Sequence, residues 1–414
     1  MPAGAARRAV LPAEPCLLFA APSEDPLALR AQPIPDNVMQ DPMSLRPGSS
    51  EAVSLAPLNP DPSSKDMDQA IREAVLAVDN LDWLKPGDTV LIKPVINSGK
   101  PYPSTTSPLA LGSMIRLLKE RGAGRVVVGD MSGVFHLDQR PDGCTGSTRA
   151  LAESAGLLHA VPAAGGEWAF FEESGWESFY EEQPAPGSHW RQGLMLPDVL
   201  KTVDHIVSMP RCSRHSLLGN TLGLKSVVGY MRYDTRLEYH HAAKSIQEKT
   251  AEANTVPSLL QKQRLVVTAA DKVLATFGPD MGHVITPPQG LVIASRSVIA
   301  HDMVSLAWLM VHWRQAPWLT KRSLVDPSST KFTTNLGNRL VVGVLGGWKL
   351  GMSAETMEHS QQPDIWRDRT LRRAFALMGG VPDIQLRPAQ STISPQLLAE
   401  FSSMVALPAA MRAA

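Results

Sequence analysis

The chain is poor in cysteine, carries no charge excess of either sign and has no long apolar run. Its three cysteines, Cys16, Cys144 and Cys212, are scattered through 414 residues. None stands near another, so this chain alone cannot build a zinc ribbon or a cysteine-ligated iron–sulfur cluster. So few cysteines, in odd number, do not make a disulfide scaffold, and a reducing, cytoplasmic setting is the expectation. Lys+Arg and Asp+Glu both number 40, giving a formal net charge of zero. A balanced chain lacks the basic excess that draws proteins to nucleic acid or anionic membranes, so neither partner is expected. No apolar stretch approaches the ~18 residues of a transmembrane helix. Arg7 and Arg8 precede a short apolar run at Leu17, Leu18, Phe19 and Ala20. Pro12, Glu14 and Pro15 interrupt it, and it reads as a plain leader. The signatures of serine hydrolases, zinc proteases, kinases, P-loops and dinucleotide-binding folds are absent.

What is present is enough for a core. Hydrophobic residues make up 43% and charged residues 19%, which excludes global disorder. The length allows about two or three domains. Twelve of the 34 prolines fall in residues 1–62, a stretch without sustained helical or strand period that reads as an extended arm. An α/β domain is expected over 63–314, with an insertion or lid at about 160–195, followed by a C-terminal extension over 315–414.

Within that domain Ile71, Ala74, Val75 and Val78 have helical spacing, with Ser63 or Ser64 as cap. Residues 89–93, 125–129, 204–208, 264–268 and 291–294 are short apolar runs without alternation, as expected of strands covered on both faces. Ser107 and Pro108 open a second helix that Gly122 closes. Further helices are expected at Thr148–Ala155, Asp302–Trp313 and Trp366–Leu377. A late strand is expected at 340–344, with 315–340 as linker. The alternation of helix and strand predicts a central, mostly parallel sheet with helices on both faces.

Strand ends in such a sheet face a ligand crevice. Lys93 and Asn97 follow the first strand, and Thr105, Thr106 and Ser107 lead into a helix N-terminus, where free N–H groups favour an anion. A simple N-cap and a solvated lysine would explain the same residues. Asp130 ends the second strand, either in the site or in an ordinary turn. After the third come Arg211, Arg214 and His215, then Lys225, then Glu238, His240 and His241. This concentration of positive charge suits a carboxylate or phosphate, and the imidazoles could ligate a metal. A solvated basic loop with unrelated histidines is the alternative. Gly278, Pro279 and Asp280 form a turn that fits a crevice loop. Asp302 is expected to cap its own helix, and Trp308, Trp313 and Trp318 to serve packing.

Six segments then fall into a familiar order: Val90 to Pro94, Thr106 with Pro108, Val128 to Gly133, Pro210 with His215, Leu222 to Lys225 with Gly229, and Gly278 with Pro279. Over about residues 65–310 the chain resembles the domain-of-unknown-function 362 family. Members often have lysine where Ser213 stands and asparagine where Ser226 stands, and many carry a ferredoxin-like cysteine module that this chain lacks. A more distant resemblance is to lactate racemase and its relatives, in which a lysine follows a histidine by ten residues and a second histidine lies sixteen beyond. His215, Lys225 and His241 reproduce that spacing. The resemblance implies a nickel-containing nucleotide held by Lys225 with nickel on His241, or another divalent metal, with His240 as the neighbouring alternative and Glu238 behind the metal ligand. That family's upstream catalytic histidine has no matched position here, and His136 stands as the candidate for it.

The expectation is therefore a cytoplasmic enzyme acting on a small anionic metabolite of hydroxy-acid type, with isomerase or racemase chemistry carried by His215, Lys225 and Asp130. Lys93, Asn97, Thr105, Thr106, Ser107, Arg211 and Arg214 would bind the substrate. The rival is a non-enzymatic anion- or metal-binding accessory protein linked to redox metabolism. A homo-oligomer is compatible with either.

Overall fold

The computed structural model describes residues 47–276, 278, 280–318, 331–357, 364–389 and 393–408. Eight strands form the central sheet: β1 (Pro47–Leu58), β2 (Thr89–Lys93), β3 (Arg125–Asp130), β4 (Glu167–Phe170), β5 (His205–Ser208), β6 (Gln263–Ala269), β7 (Gly290–Ser295) and β8 (Val381–Pro388). Their order is β8-β1-β7-β6-β5-β2-β3-β4. Only β7 runs against the rest, antiparallel to both β1 and β6. The strands expected at 89–93, 125–129, 204–208, 264–268 and 291–294 all lie in this one sheet.

The short apolar runs are explained by burial on two sides. Val90 and Ile92 of β2 join a core with helices Ser64–Leu76 and Pro108–Glu120, while Leu91 points to the opposite core. On that second side, β1, β6 and β7 pack against helices Val298–Trp313, Arg369–Leu377 and Pro395–Val405. Ser63 closes a capping box with Asp66, and Ser107 caps the next helix ahead of Pro108. Both fix where the chain re-enters the sheet.

Four local expectations change. Part of the proline-rich segment is a twelve-residue strand, β1, whose Val53, Leu55, Ala56 and Leu58 are buried on alternate faces. Its Pro57 falls where pairing with β8 has ended, so the missing N–H breaks no ladder bond there. The rest of that segment, 1–46, lies outside the described residues. Glu167–Phe170, within the expected insertion, is the edge strand β4 paired with β3. Residues 340–344 are helical, inside Lys331–Gly346. Buried Thr334, Asn338, Val341, Val342 and Leu345 recur there at helical spacing, which a five-residue apolar run cannot disclose alone. Asp302 sits inside its helix, whose N-cap is Ser297. No helix among the described residues is long and apolar enough to cross a membrane.

Candidate functional site

The sheet order creates the site. From β2 the chain steps outward to β3 and β4, then returns to the other side of β2 as β5. Loops leaving β2 and β5 therefore diverge, and a crevice opens beyond their carboxyl ends. There Lys93 pairs with Ser208 in register. A cavity of about 540 Å³ occupies this place.

At its floor, the buried Lys93 ammonium lies 2.7 Å from Asp130 Oδ1 and donates to Pro94 O at 2.7 Å. Asp130 Oδ2 accepts from Ile96 N at 2.6 Å. Burial lowers the Lys93 pKa, and the Asp130 charge opposes that. Gly229 makes this pair possible: a Cβ there would stand 2.1 Å from Asp130 Oδ1 and 2.4 Å from Lys93 Nζ. Arg236 donates to Met231 O at 2.8 Å and Met131 O at 2.9 Å, and also to Ser132 O, tying helix Tyr233–His241 to the loop after β3. Arg211 donates to Ser104 O in the loop after β2. Burial draws both guanidinium groups down to about 10, so both stay charged at neutral pH.

Lys225 stands on the tight helical turn Leu224–Tyr230 and lines the cavity. Asp302 holds the start of that turn, accepting from Gly223 N at 2.8 Å and Leu224 N at 2.7 Å. Asp302 thus caps a neighbouring turn instead of its own helix. His301 Nδ1 lies 2.9 Å from Asp302 Oδ1, and its Nε2 lies 2.9 Å from Thr268 Oγ1, anchoring the carboxylate to β6. The Lys225 amine has no hydrogen bond or ion pair among the described residues. Burial, then the charges of Arg211, Arg236 and Lys93, bring its pKa to about 7, against the opposing pull of Asp130.

His215 comes from the hairpin Ser213–His215 with Gly219–Thr221. Its Nδ1 accepts from Leu217 N at 3.1 Å and Leu218 N at 3.3 Å. With that lone pair occupied, the neutral ring carries its proton on Nε2. Burial first, then Lys225, Arg211 and His240, depress its pKa well below 6.5. His215 is therefore a neutral hydrogen-bond donor in this arrangement. His240 also lines the cavity and is held neutral, at about 3, by burial and by Lys225 and Arg236.

At the mouth, Asp280 accepts from Asn97 Nδ2 at 2.6 Å and lies 3.7 Å from His136 Nε2. Burial alone would raise its carboxyl; those two contacts and the Arg211 charge outweigh it and hold it below the usual range.

Of the residues singled out by sequence, Lys93, Asn97, Asp130, Arg211, His215, Lys225 and His240 share the cavity lining, and His136 joins them. Others do not. Thr106 braces backbone, accepting from Val95 N at 2.8 Å and donating to Met209 O at 2.6 Å. Ser107 is the helix cap, and Thr105 is buried beside it. Arg214 lies over the Trp313 ring at 4.4 Å. His241 is turned outside the cavity, 3.5 Å from Ser353 Oγ, and Glu238 pairs with Lys249 at 2.9 Å. The His–Lys–His spacing therefore does not converge through His241. No group of three or more His, Cys, Asp or Glu side chains among the described residues could hold a metal ion. The donor set does not fit a protein-ligated divalent metal, and no step below uses one. Arg236 escaped the sequence reading, although it stands four residues before His240 and so on the same helical face.

The chain is an α/β protein with an open, mostly parallel sheet and a cationic cavity at its switch point. The family profile "Domain of unknown function (DUF362)" matches residues 90–307, more than half of the chain, and the chain belongs to that family. It is 25% identical over 277 residues to the thylakoid-associated protein sll1697 of Synechocystis sp., covering 65% of this chain and 78% of that one. A crystal structure of a Thermotoga maritima protein aligns at a TM-score of 0.39 and 13% identity. That alignment covers 61% of this chain and 59% of the other, so this chain spans less than two thirds of its length.

Proposed function

We propose that the cavity is the active site of an enzyme acting on a small organic anion of hydroxy-acid type, by isomerase chemistry at the carbon beside the carboxylate. The observation that carries this reading is Lys225. An amine with a pKa of about 7 faces the cavity with no partner among the described residues, beside two permanent cations. An anion would relieve that repulsion, and a general base works best with a pKa near the operating pH.

In this reading Arg211 holds the substrate carboxylate. Neutral Lys225 removes the proton from the adjacent carbon, and the electron pair of the broken C–H bond moves into the carboxylate as an enediolate. Arg211 and the His215 Nε2–H stabilise the oxygens where charge gathers. The enediolate turns over in the cavity, and return of the proton from Lys225 to its other face inverts that carbon and regenerates the acid and the free amine, so no oxidant or reductant is consumed.

The test is proton NMR of lactate, malate and glycolate in deuterated water. Exchange at the carbon beside the carboxylate with the native chain, lost in Lys225→Met, supports the enzyme. Binding without exchange by any of the three removes the enzyme and leaves an anion-binding protein. Neither binding nor exchange by the folded chain overturns the whole reading.

A further inference from the structure

We infer that the anion is the head of an amphiphile, whose apolar tail leaves the cavity along helix Lys331–Gly346. This rests on the anion reading above and adds what the rest of the ligand must be.

The cationic groups of the cavity gather at its floor, and Asp280, Asn97 and His136 make one side of its mouth polar. Above Lys93, Arg211 and Lys225 the walls are built by Val134, Leu217, Val341 and neighbouring apolar side chains. At about 540 Å³ it has the size of sites that enclose ligands of drug-like dimensions. A hydroxy acid of a few carbons would fill the floor and leave those walls unfilled.

The mouth carries the argument further. Phe135, Met281 and Leu340 come from three separate segments, all line the cavity, and are 60%, 70% and 50% exposed. Scattered exposed apolar residues are ordinary, but a contiguous group rimming a cavity marks a binding surface. Leu340 also belongs to a row. Phe332, Leu336, Leu340 and Val344 are all exposed and stand four residues apart on helix Lys331–Gly346. Residues at that spacing share one helical face, and the opposite face, with Asn338, Val342 and Leu345, is buried. The helix thus turns one apolar face inward and a second outward, and the outward one meets the cavity mouth at Leu340. A chain with its carboxylate at Arg211 and Lys225 would pass the apolar walls and emerge on this row.

The test is calorimetric titration with butanoate, octanoate and dodecanoate, each kept below its micelle-forming concentration, and with uncharged dodecanol. Affinity should rise by about fourfold per methylene over the shorter part of the series, at one ligand per chain, and dodecanol should bind at least about tenfold more weakly than dodecanoate. Leu340→Glu, at an exposed position, should weaken dodecanoate at least about tenfold more than it weakens butanoate. Phe135→Ser should repeat the pattern in case Leu340→Glu disturbs the helix. If butanoate binds and chain length adds nothing, the amphiphile is excluded and the anion site stands. If no carboxylate of any length binds, or dodecanol binds as well as dodecanoate, the anion site itself fails and this inference with it.

Discussion

The Asp302 carboxylate accepts a hydrogen bond from Leu224 N at 2.7 Å, one residue before Lys225. A carboxylate on one helix thereby caps the turn that carries the cavity's amine. His301, bridging Asp302 to Thr268 of β6, ties that turn to the sheet. The position of Lys225 is therefore set by buried charge-assisted bonds from a distant part of the sequence.

Asp302→Ala should consequently act at two levels. Removing a buried acceptor leaves the Gly223 and Leu224 N–H groups unsatisfied, a loss of about 2–4 kcal/mol. Urea unfolding should register it, and anion affinity should fall even where the variant remains fully folded. Unchanged affinity in the folded variant would mean that Lys225 is positioned by other contacts.

Lys225 should give stability a distinctive pH dependence. Its folded pKa is about 7 against an ordinary 10.5. Between these values the unfolded chain binds more protons than the folded one, so stability rises with pH. The burden of the charged amine is complete below about pH 7 and is relieved on the way to 10.5. Relative to Lys225→Met, the native chain should gain on the order of 2 kcal/mol between pH 6 and 9. Urea unfolding at both values checks it; a constant difference between the two proteins would contradict the depressed pKa. A bound anion should shrink the gain.

The parallel strands were legible because Val90–Ile92 and Val126–Val128 are apolar without alternation, and strand-end logic then placed Lys93, Asp130 and Arg211 in one crevice. What stayed hidden depends on contacts across the chain. Asp302 looks like a helix cap in sequence because its partners, Gly223 and Leu224, are about eighty residues away. His240 and His241 are indistinguishable until the helix register turns only the first inward. β1 was obscured by its prolines, of which Pro57 is tolerated because β8 no longer pairs beside it. The helical nature of 340–344 depends on the buried face that begins with Thr334.

The Lys93–Asp130 pair should behave as a buried ion pair that is costly to break from one side. Lys93→Met leaves Asp130 charged and unpaired, which typically costs about 3–5 kcal/mol. Adding Asp130→Asn should recover part of this, giving a coupling of about 1–3 kcal/mol in the double-mutant cycle. Gly229→Ala should also destabilise, by about 1–3 kcal/mol or more, because its Cβ would meet both charged groups. Additive effects of the single Lys93 and Asp130 substitutions would show that the pair contributes nothing as a unit.

His215 should resist protonation and keep one tautomer. Its Nδ1 already accepts from Leu217 N and Leu218 N, and burial among Lys225, Arg211 and His240 disfavours a second proton. Ring-nitrogen NMR should therefore show Nε2–H from pH 8 down to pH 5, with no titration near 6.5. The stability consequence has a definite sign. As pH falls below about 6.5 the unfolded chain takes up a proton that the folded ring refuses, so stability is present above that pH and drains away in acid. His240, at about 3 when folded, adds in the same direction. Urea unfolding between pH 7 and 5 should thus show a decline that His215→Asn reduces. A ring that titrates near 6.5, or that carries its proton on Nδ1, would remove the donor role given to His215 here.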